Sequence, residues 1–201
     1  MPGRGEIFTE REILDKLSGR IKKSRLQHCL GVKDIATEMA RSFGADIKKA
    51  GLAALLHDCA RDWTGADLLK KARLSGIPVT EVDEMLPELL HAPVGALIVK
   101  EEFGINDLEI IQAIKYHTTG DCNMSVLDKI IFVADLIEPG RKGNLEEIRK
   151  LAFINLDDAL LAAFDYTLKY IIRVGSVIHP QTIKARNTIL KQKPPFSERN
   201  F

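Results

Sequence analysis

Residues 130–137 read IIFVADLI, an apolar segment interrupted once, by Asp135. Ser125, followed by Asp128, forms a capping box in front of it, and Glu138-Pro139-Gly140 stops it, so the segment is predicted to be a helix. A helix of this composition is buried on nearly every side. Burying an unpaired carboxylate there is costly, so Asp135 needs a cation or several hydrogen bonds. A neighbouring helix end or an arginine would satisfy it as well as a metal would.

Outward from this helix, 3.6-residue periodicity dominates and no alternating strand pattern is convincing. The spacing predicts helices over 10–18, over 24–43 with Gly44 as a left-handed cap, and from Asp46 to about Arg61, where LAALL precedes His57. Thr64 with Asp67 caps the next, which Gly76-Ile77-Pro78 ends. Residues 81–103 read as two pieces broken near Pro93, and Asn106 with Glu109 starts the helix that reaches His117. Asn144 with Glu147, Asn155 with Asp158, and His179-Pro180 open the last helices. The expectation is an all-α bundle of eight to ten helices: an N-terminal helix and extension over 1–23, one catalytic domain over 24–190, and a flexible tail over 191–201.

Bulk properties narrow the function. A chain of 201 residues suffices for one large core, and 45% hydrophobic with 28% charged residues excludes a disordered chain. A net charge of +1 gives no global attraction to nucleic acid or membrane, so any pull on an anion is local. Cys29, Cys59 and Cys122 form no CxxC pair, the N-terminus lacks an apolar signal segment, and the run at Ile130–Ile137 is too short to span a bilayer. These features predict a cytoplasmic protein.

The chain has five histidines, and His28, His57, His91 and His117 fall on or at the ends of separate predicted helices with apolar neighbours. A lone histidine on an apolar face is usually a satisfied core residue. Four of them, together with Asp58 beside His57 and Asp135 in its apolar helix, are harder to explain separately. Imidazole with carboxylate suits iron, manganese or zinc. Six ligands with one shared carboxylate suit two ions about 3.5–4 Å apart, a pair able to deprotonate a bridging water and to stabilise a phosphoryl transition state.

The order His28, His57-Asp58, Asp135 resembles the signature of the HD superfamily, with His91 and His117 as the extra pair of its two-metal members. Wider similarity runs through RLQHCLGV (25–32), GLAALLHDCARD (51–62), HAPVGA (91–96), YHTTG (116–120), KIIFVADLIEPGR (129–141) and IHPQTIKARN (178–187). Together these resemble the YqeK-type symmetrical diadenosine-tetraphosphate hydrolases over nearly all of 10–190. The resemblance implies an iron enzyme, a homodimer, that splits diadenosine tetraphosphate (Ap4A) into two ADP. It implies one metal on His28, His57, Asp58 and Asp135 and the other on Asp58, His91 and His117, with Asp58, His91 and His117 closest to the chemistry.

The resemblance also implies phosphate contacts from Arg25 and Arg141, and a nucleotide against Ile178, His179, Pro180, Gln181, Thr182 and Ile183. Arg61 stands where many relatives carry lysine; it keeps the charge but changes the donor geometry. Without the family, Arg25 and Arg141 read as solvated surface arginines. Phe164, Tyr166 and Tyr170 read as core packing rather than as adenine stacking, and Cys29 and Cys59 as small buried hydrophobes. Three rivals are another HD phosphohydrolase acting on a nucleoside mono- or triphosphate or a cyclic nucleotide, a di-iron oxygenase, and a non-catalytic nucleotide binder.

Overall fold

The long second helix, α2 (Lys23–Phe43), follows the short α1 (Glu10–Ser18) and organises what comes after it. Its Cys29, Val32, Ala36, Met39 and Ala40 form one fully buried stripe at helical spacing. That stripe meets α3 (Ile47–Leu56) and α8 (Val126–Ile137). Small residues let α3 come close: a Cβ added at Gly51 would stand 3.3 Å from Thr37 Cγ2. Beside them, α7 (Leu108–Tyr116) packs on α3, on α8 and on α6 (His91–Glu102).

The remaining helices cover this central group. A 3₁₀ turn over Pro87–Leu90 joins α5 (Glu81–Met85) to α6, and α4 (Gly65–Leu74) packs on both the turn and α6. The helix α10 (Leu156–Arg173) lies over α8, with α9 (Glu146–Leu151) and α11 (Pro180–Lys191) against it. The computed structural model describes residues 9–192; most of the predicted tail at 191–201 lies outside that range. Among the described residues the fold is all-α, with eleven α-helices and no strand, one helix more than the expected eight to ten.

Several predicted helix signals work as read. Gly44 takes φ 66° and ends α2, Asn155 accepts from the amides of Asp157 and Asp158, and Ser125 with Asp128 forms the capping box of α8. Other boundaries move. The helix expected to reach Arg61 stops at Leu56, and residues 57–62 turn instead through bonds from Cys59 N–H to Leu56 O and from Arg61 N–H to Asp58 O. The break expected at Pro93 falls at Leu86 (φ −130°, ψ 67°), because Pro93 sits in the first turn of α6, where no amide bond is required of it. Asp107 rather than Asn106 caps α7, since the Asn106 amide donates to Gly104 O while Asp107 Oδ1 accepts from Glu109 N and Ile110 N. No helix among the described residues is long and apolar enough to cross a membrane.

Candidate metal centre

Three helix ends and two helix faces meet at one point in this bundle. His57 is the C-cap of α3 and His117 the C-cap of α7, while His91 is the first residue of α6. Each uses the same local device: ring Nδ1 lies at hydrogen-bond distance from the carbonyl three residues earlier. The acceptors are Ala54 O at 2.7 Å, Ile114 O at 2.7 Å and Glu88 O. A carbonyl can only accept, so Nδ1 carries the proton and Nε2 presents its lone pair to the interior. His28, in mid-α2, reaches the same state differently, with Nδ1 3.1 Å from Glu138 Oε1.

The four rings stand in a row, His28–His57–His117–His91, with neighbouring centroids 5.3, 4.9 and 5.0 Å apart. Asp58 lies along that row and divides it. Its Oδ2 is 3.4 Å from His57 Nε2 and 3.7 Å from His28 Nε2, and its Oδ1 is 3.2 Å from His91 Nε2 and 3.7 Å from His117 Nε2. Asp135 Oδ1 closes the first half, 2.9 Å from His28 Nε2 and 3.8 Å from His57 Nε2. The structure thus brings all six sequence-predicted ligands together, with one oxygen of Asp58 to each pair of imidazoles and Asp135 added to the first.

This donor set fits cations better than it fits itself. Among the described residues the buried Nε2 atoms of His28 and His57 have no hydrogen-bond partner; Asp135 is near His28 but not aligned with it as a hydrogen bond. His91 Nε2 and His117 Nε2 are 3.1 Å apart, so with both Nδ1 atoms protonated two lone pairs face each other. Only the Thr118 hydroxyl, 3.4 and 3.2 Å away, stands between them, and it has one hydrogen to give. His28, His57 and Asp58 can surround one ion, and Asp58, His91 and His117 another.

The electrostatics agree. Burial alone would raise the pKa of Asp58, but the charge of His57 and contacts with His117, His57 and His91 hold it well below the usual carboxylate range. Burial likewise opposes the ionisation of Asp135, and His28, His57 and Arg141 together override it and hold this group low too. Burial lowers the His117 pKa. His57 goes the other way: burial lowers it, yet Asp58 and Asp135 lift it to about 9.

A cleft of about 280 Å³ opens over the cluster, lined by Arg25, Arg61, Thr118, Arg141, Tyr166 and Tyr170 among others. Arg25 Nη1 donates to Asp58 Oδ2 at 2.8 Å, and Arg141 donates to Asp135 Oδ1 at 2.5 Å and to Asp135 O at 3.0 Å. The two arginines that read as surface residues are therefore seated on the carboxylates. Ile178, His179, Pro180, Gln181, Thr182 and Ile183 do not line this cleft. They lie beside the turn after His117, where Gln181 donates to Asp121 at 2.8 Å and His179 caps α11.

Phe164 is buried and Tyr166 packs half-buried against the core, as expected, while Tyr170 is 51% exposed, which corrects its assignment to the core; both tyrosines also line the cleft. Sequence reasoning gave no role to Thr118 or Glu138. Both fall in segments that carry the resemblance, YHTTG and KIIFVADLIEPGR, and Glu138 also read as part of the helix stop, but neither segment says that the side chain reaches a ligand. Cys29 and Cys59 are fully buried, and burial pushes the Cys59 thiol up to about 12.

Residues 25–140 match the family model described as "HD domain". Two relatives carry the name "Bis(5'-nucleosyl)-tetraphosphatase, symmetrical". The one from Halalkalibacterium halodurans is 38% identical over 90% of this chain and 96% of its own length. The one from Bacillus subtilis is 37% identical over 89% and 96%. A solved structure from Clostridium acetobutylicum, described as a "predicted HD superfamily hydrolase involved in NAD metabolism", has 38% identity and a TM-score of 0.90 over 93% of this chain and 100% of that one.

Proposed function

The chain belongs to the HD domain family, and from that premise we propose that it hydrolyses diadenosine tetraphosphate symmetrically, taking one water and releasing two ADP. The observation that carries the metal part of this reading is the convergence of four lone-pair-presenting Nε2 atoms on the two oxygens of Asp58. His28, His57, Asp58 and Asp135 would hold one ion and Asp58, His91 and His117 the other. Iron is the proposed metal, and manganese or zinc accept the same donors. When bound, such a pair activates water near neutral pH and neutralises phosphate charge.

The chain's own residues supply the rest. A polyphosphate entering the cleft offers new acceptors to Arg25 and Arg141, which can turn from Asp58 and Asp135 to phosphate oxygens. That exchange fixes the phosphates over the two carboxylates. Arg61 adds a third positive charge to the cleft wall, and the Thr118 hydroxyl stands ready to donate where the His91 and His117 nitrogens meet. Among the described residues that line the cleft there is no cysteine, serine or lysine, and the Thr118 hydroxyl faces the His91 and His117 nitrogens; the proposed step is direct attack by water on an inner phosphorus with departure of ADP oxygen from it. Tyr166 and Tyr170 offer flat surfaces for a nucleoside.

The proposal extends to a cytoplasmic homodimer, and to residues 24–190 as the working unit. The cleft residues Tyr166, Thr167 and Tyr170 lie beyond the matched 25–140, which supports that longer unit. The test is incubation with Ap4A after loading with iron or manganese, with every nucleotide product quantified. ADP as the sole product is expected. ATP with AMP, or turnover of nucleoside mono- or triphosphates instead, would overturn the reading. Asp58→Ala and His91→Ala are expected to reduce turnover to background while the far-ultraviolet circular dichroism stays helical.

A further inference from the structure

Glu138 occupies a niche that the rest of the site does not explain. It is the C-cap of α8, buried, and its two carboxylate oxygens have separate partners. Oε2 accepts the Gly140 amide at 2.6 Å, while Oε1 faces His28 Nδ1 at 3.1 Å. Two glycines make the room. A Cβ added at Gly31 would come within 2.9 Å of Glu138 Oε2, and one at Gly140 within 3.0 Å of both oxygens. Neither glycine is at a positive φ, so it is space for the carboxylate, rather than backbone conformation, that the absent Cβ provides at both positions.

The consequence is an asymmetry between the two halves of the cluster. His57, His91 and His117 present Nδ1 to neutral carbonyls, whereas His28 faces an anion. An imidazole backed by a carboxylate is a more electron-rich donor and is held more firmly in orientation. The same half also has Asp135, 2.9 and 3.8 Å from its two imidazoles, in addition to its share of Asp58, while Asp58 is the carboxylate nearest the His91–His117 half. We propose that Glu138 is a positioning residue that acts through His28 to make the His28–His57–Asp58–Asp135 half the tighter cation site, so that this half fills first. The inference rests on the two-metal reading above.

The test is titration of Co²⁺ into the chelator-stripped protein, followed by calorimetry and by visible absorption, with thermal melting of the metal-free protein alongside. The wild type is expected to take up two ions in two resolved steps. Glu138→Ala should weaken the first step by roughly 10–100-fold, the range typical of lost outer-shell partners, and leave the second where it was. Glu138→Gln can turn its amide oxygen to His28 and should lie in between.

Gly31→Ala reaches the carboxylate without altering it. The added methyl crowds only the far end of a side chain, and alanine favours the helix, so the metal-free melting temperature should hold or rise while the first step weakens. Wild-type uptake in both steps by Glu138→Ala and Gly31→Ala, or equal weakening of both steps together with a lowered melting temperature, would overturn the assignment. A wild type that takes up no ion would overturn the two-metal reading, and this inference with it.

Discussion

Gly120 ends the turn that carries His117 and Thr118, and a single methyl added there has a calculable cost. Its φ is +71°, and an added Cβ would lie 2.5 Å from Phe164 Cζ, 2.9 Å from Cε1 and 3.1 Å from Ala185 Cβ. Placing alanine in a left-handed conformation costs about 1 kcal/mol. Phe164 is fully buried and packs tilted against Phe132 with ring centroids 4.5 Å apart, so it cannot swing aside, and forcing a methyl into such packing adds about 1–3 kcal/mol. Gly120→Ala should therefore lose about 2–4 kcal/mol of unfolding free energy. Gly44 separates the two contributions. It has φ +66° with nothing within 4 Å of its added Cβ, so Gly44→Ala should lose only the backbone part, about 1 kcal/mol. Urea unfolding of the metal-free proteins, with m-values compared, measures both. Equal losses for the two variants would refute the argument that the Phe164 contact, rather than φ, dominates at Gly120. Turnover should follow the same order, since Phe132 is a wall of the cleft: reduced in Gly120→Ala, near wild type in Gly44→Ala.

Three other outcomes are expected. Because His57 in the metal-free protein is lifted from an ordinary 6.5 to about 9, loading Mn²⁺ near pH 7.5 should release about one proton per chain, and affinity should climb as pH rises toward 9; calorimetry in buffers of different ionisation enthalpy reads this, and buffer-independent heats would contradict it. By the same sign, the stabilisation His57 gives the metal-free fold is full below 6.5 and fades as pH rises through 9. Tyr170→Ala, at a half-exposed cleft position, should raise KM for Ap4A several-fold with kcat and melting temperature nearly unchanged; an unaltered KM removes Tyr170 from the nucleoside surface. Ser125→Ala deletes one side of the α8 capping box and should cost about 1 kcal/mol in denaturant unfolding, with a loss below a few tenths counting against the cap.

The ligands were legible for reasons of polarity. Asp135 stands out because a carboxylate has no ordinary place in IIFVADLI, and His91 and His117 stand out once so few histidines are seen to sit at apolar helix ends. What the sequence hid is tertiary. LAALLHDCARD contains no residue that must end a helix, so the turn after Leu56 comes from the packing around it rather than from a stop signal. Glu138 read as part of a stop, which it is, and nothing in EPG says that its carboxylate folds back onto α2. Tyr170 falls one turn after Tyr166 at core-like spacing on α10, yet Tyr166 packs against the core while Tyr170 is exposed.

The helix ends explain how so few residues make a site with such definite chemistry. The last carbonyls of a helix have no amide partner within it, and a histidine at the C-cap can satisfy one with its own ring. His57 and His117 do this on α3 and α7, and His91 sets its ring on Glu88 O of the 3₁₀ turn, a carbonyl that its own backbone amide also reaches. The bond that finishes the helix also fixes which nitrogen carries the proton, so completing the fold and preparing the donor are one event. His28 lies in mid-helix, where every carbonyl is already taken, and cannot use this device. A buried carboxylate has to be brought from elsewhere to serve it, and the chain places one at the end of the same helix that holds Asp135. The ligand that lacks a helix end is thus the one that gains an anion, and the difference between the two halves of the centre follows from where their histidines sit.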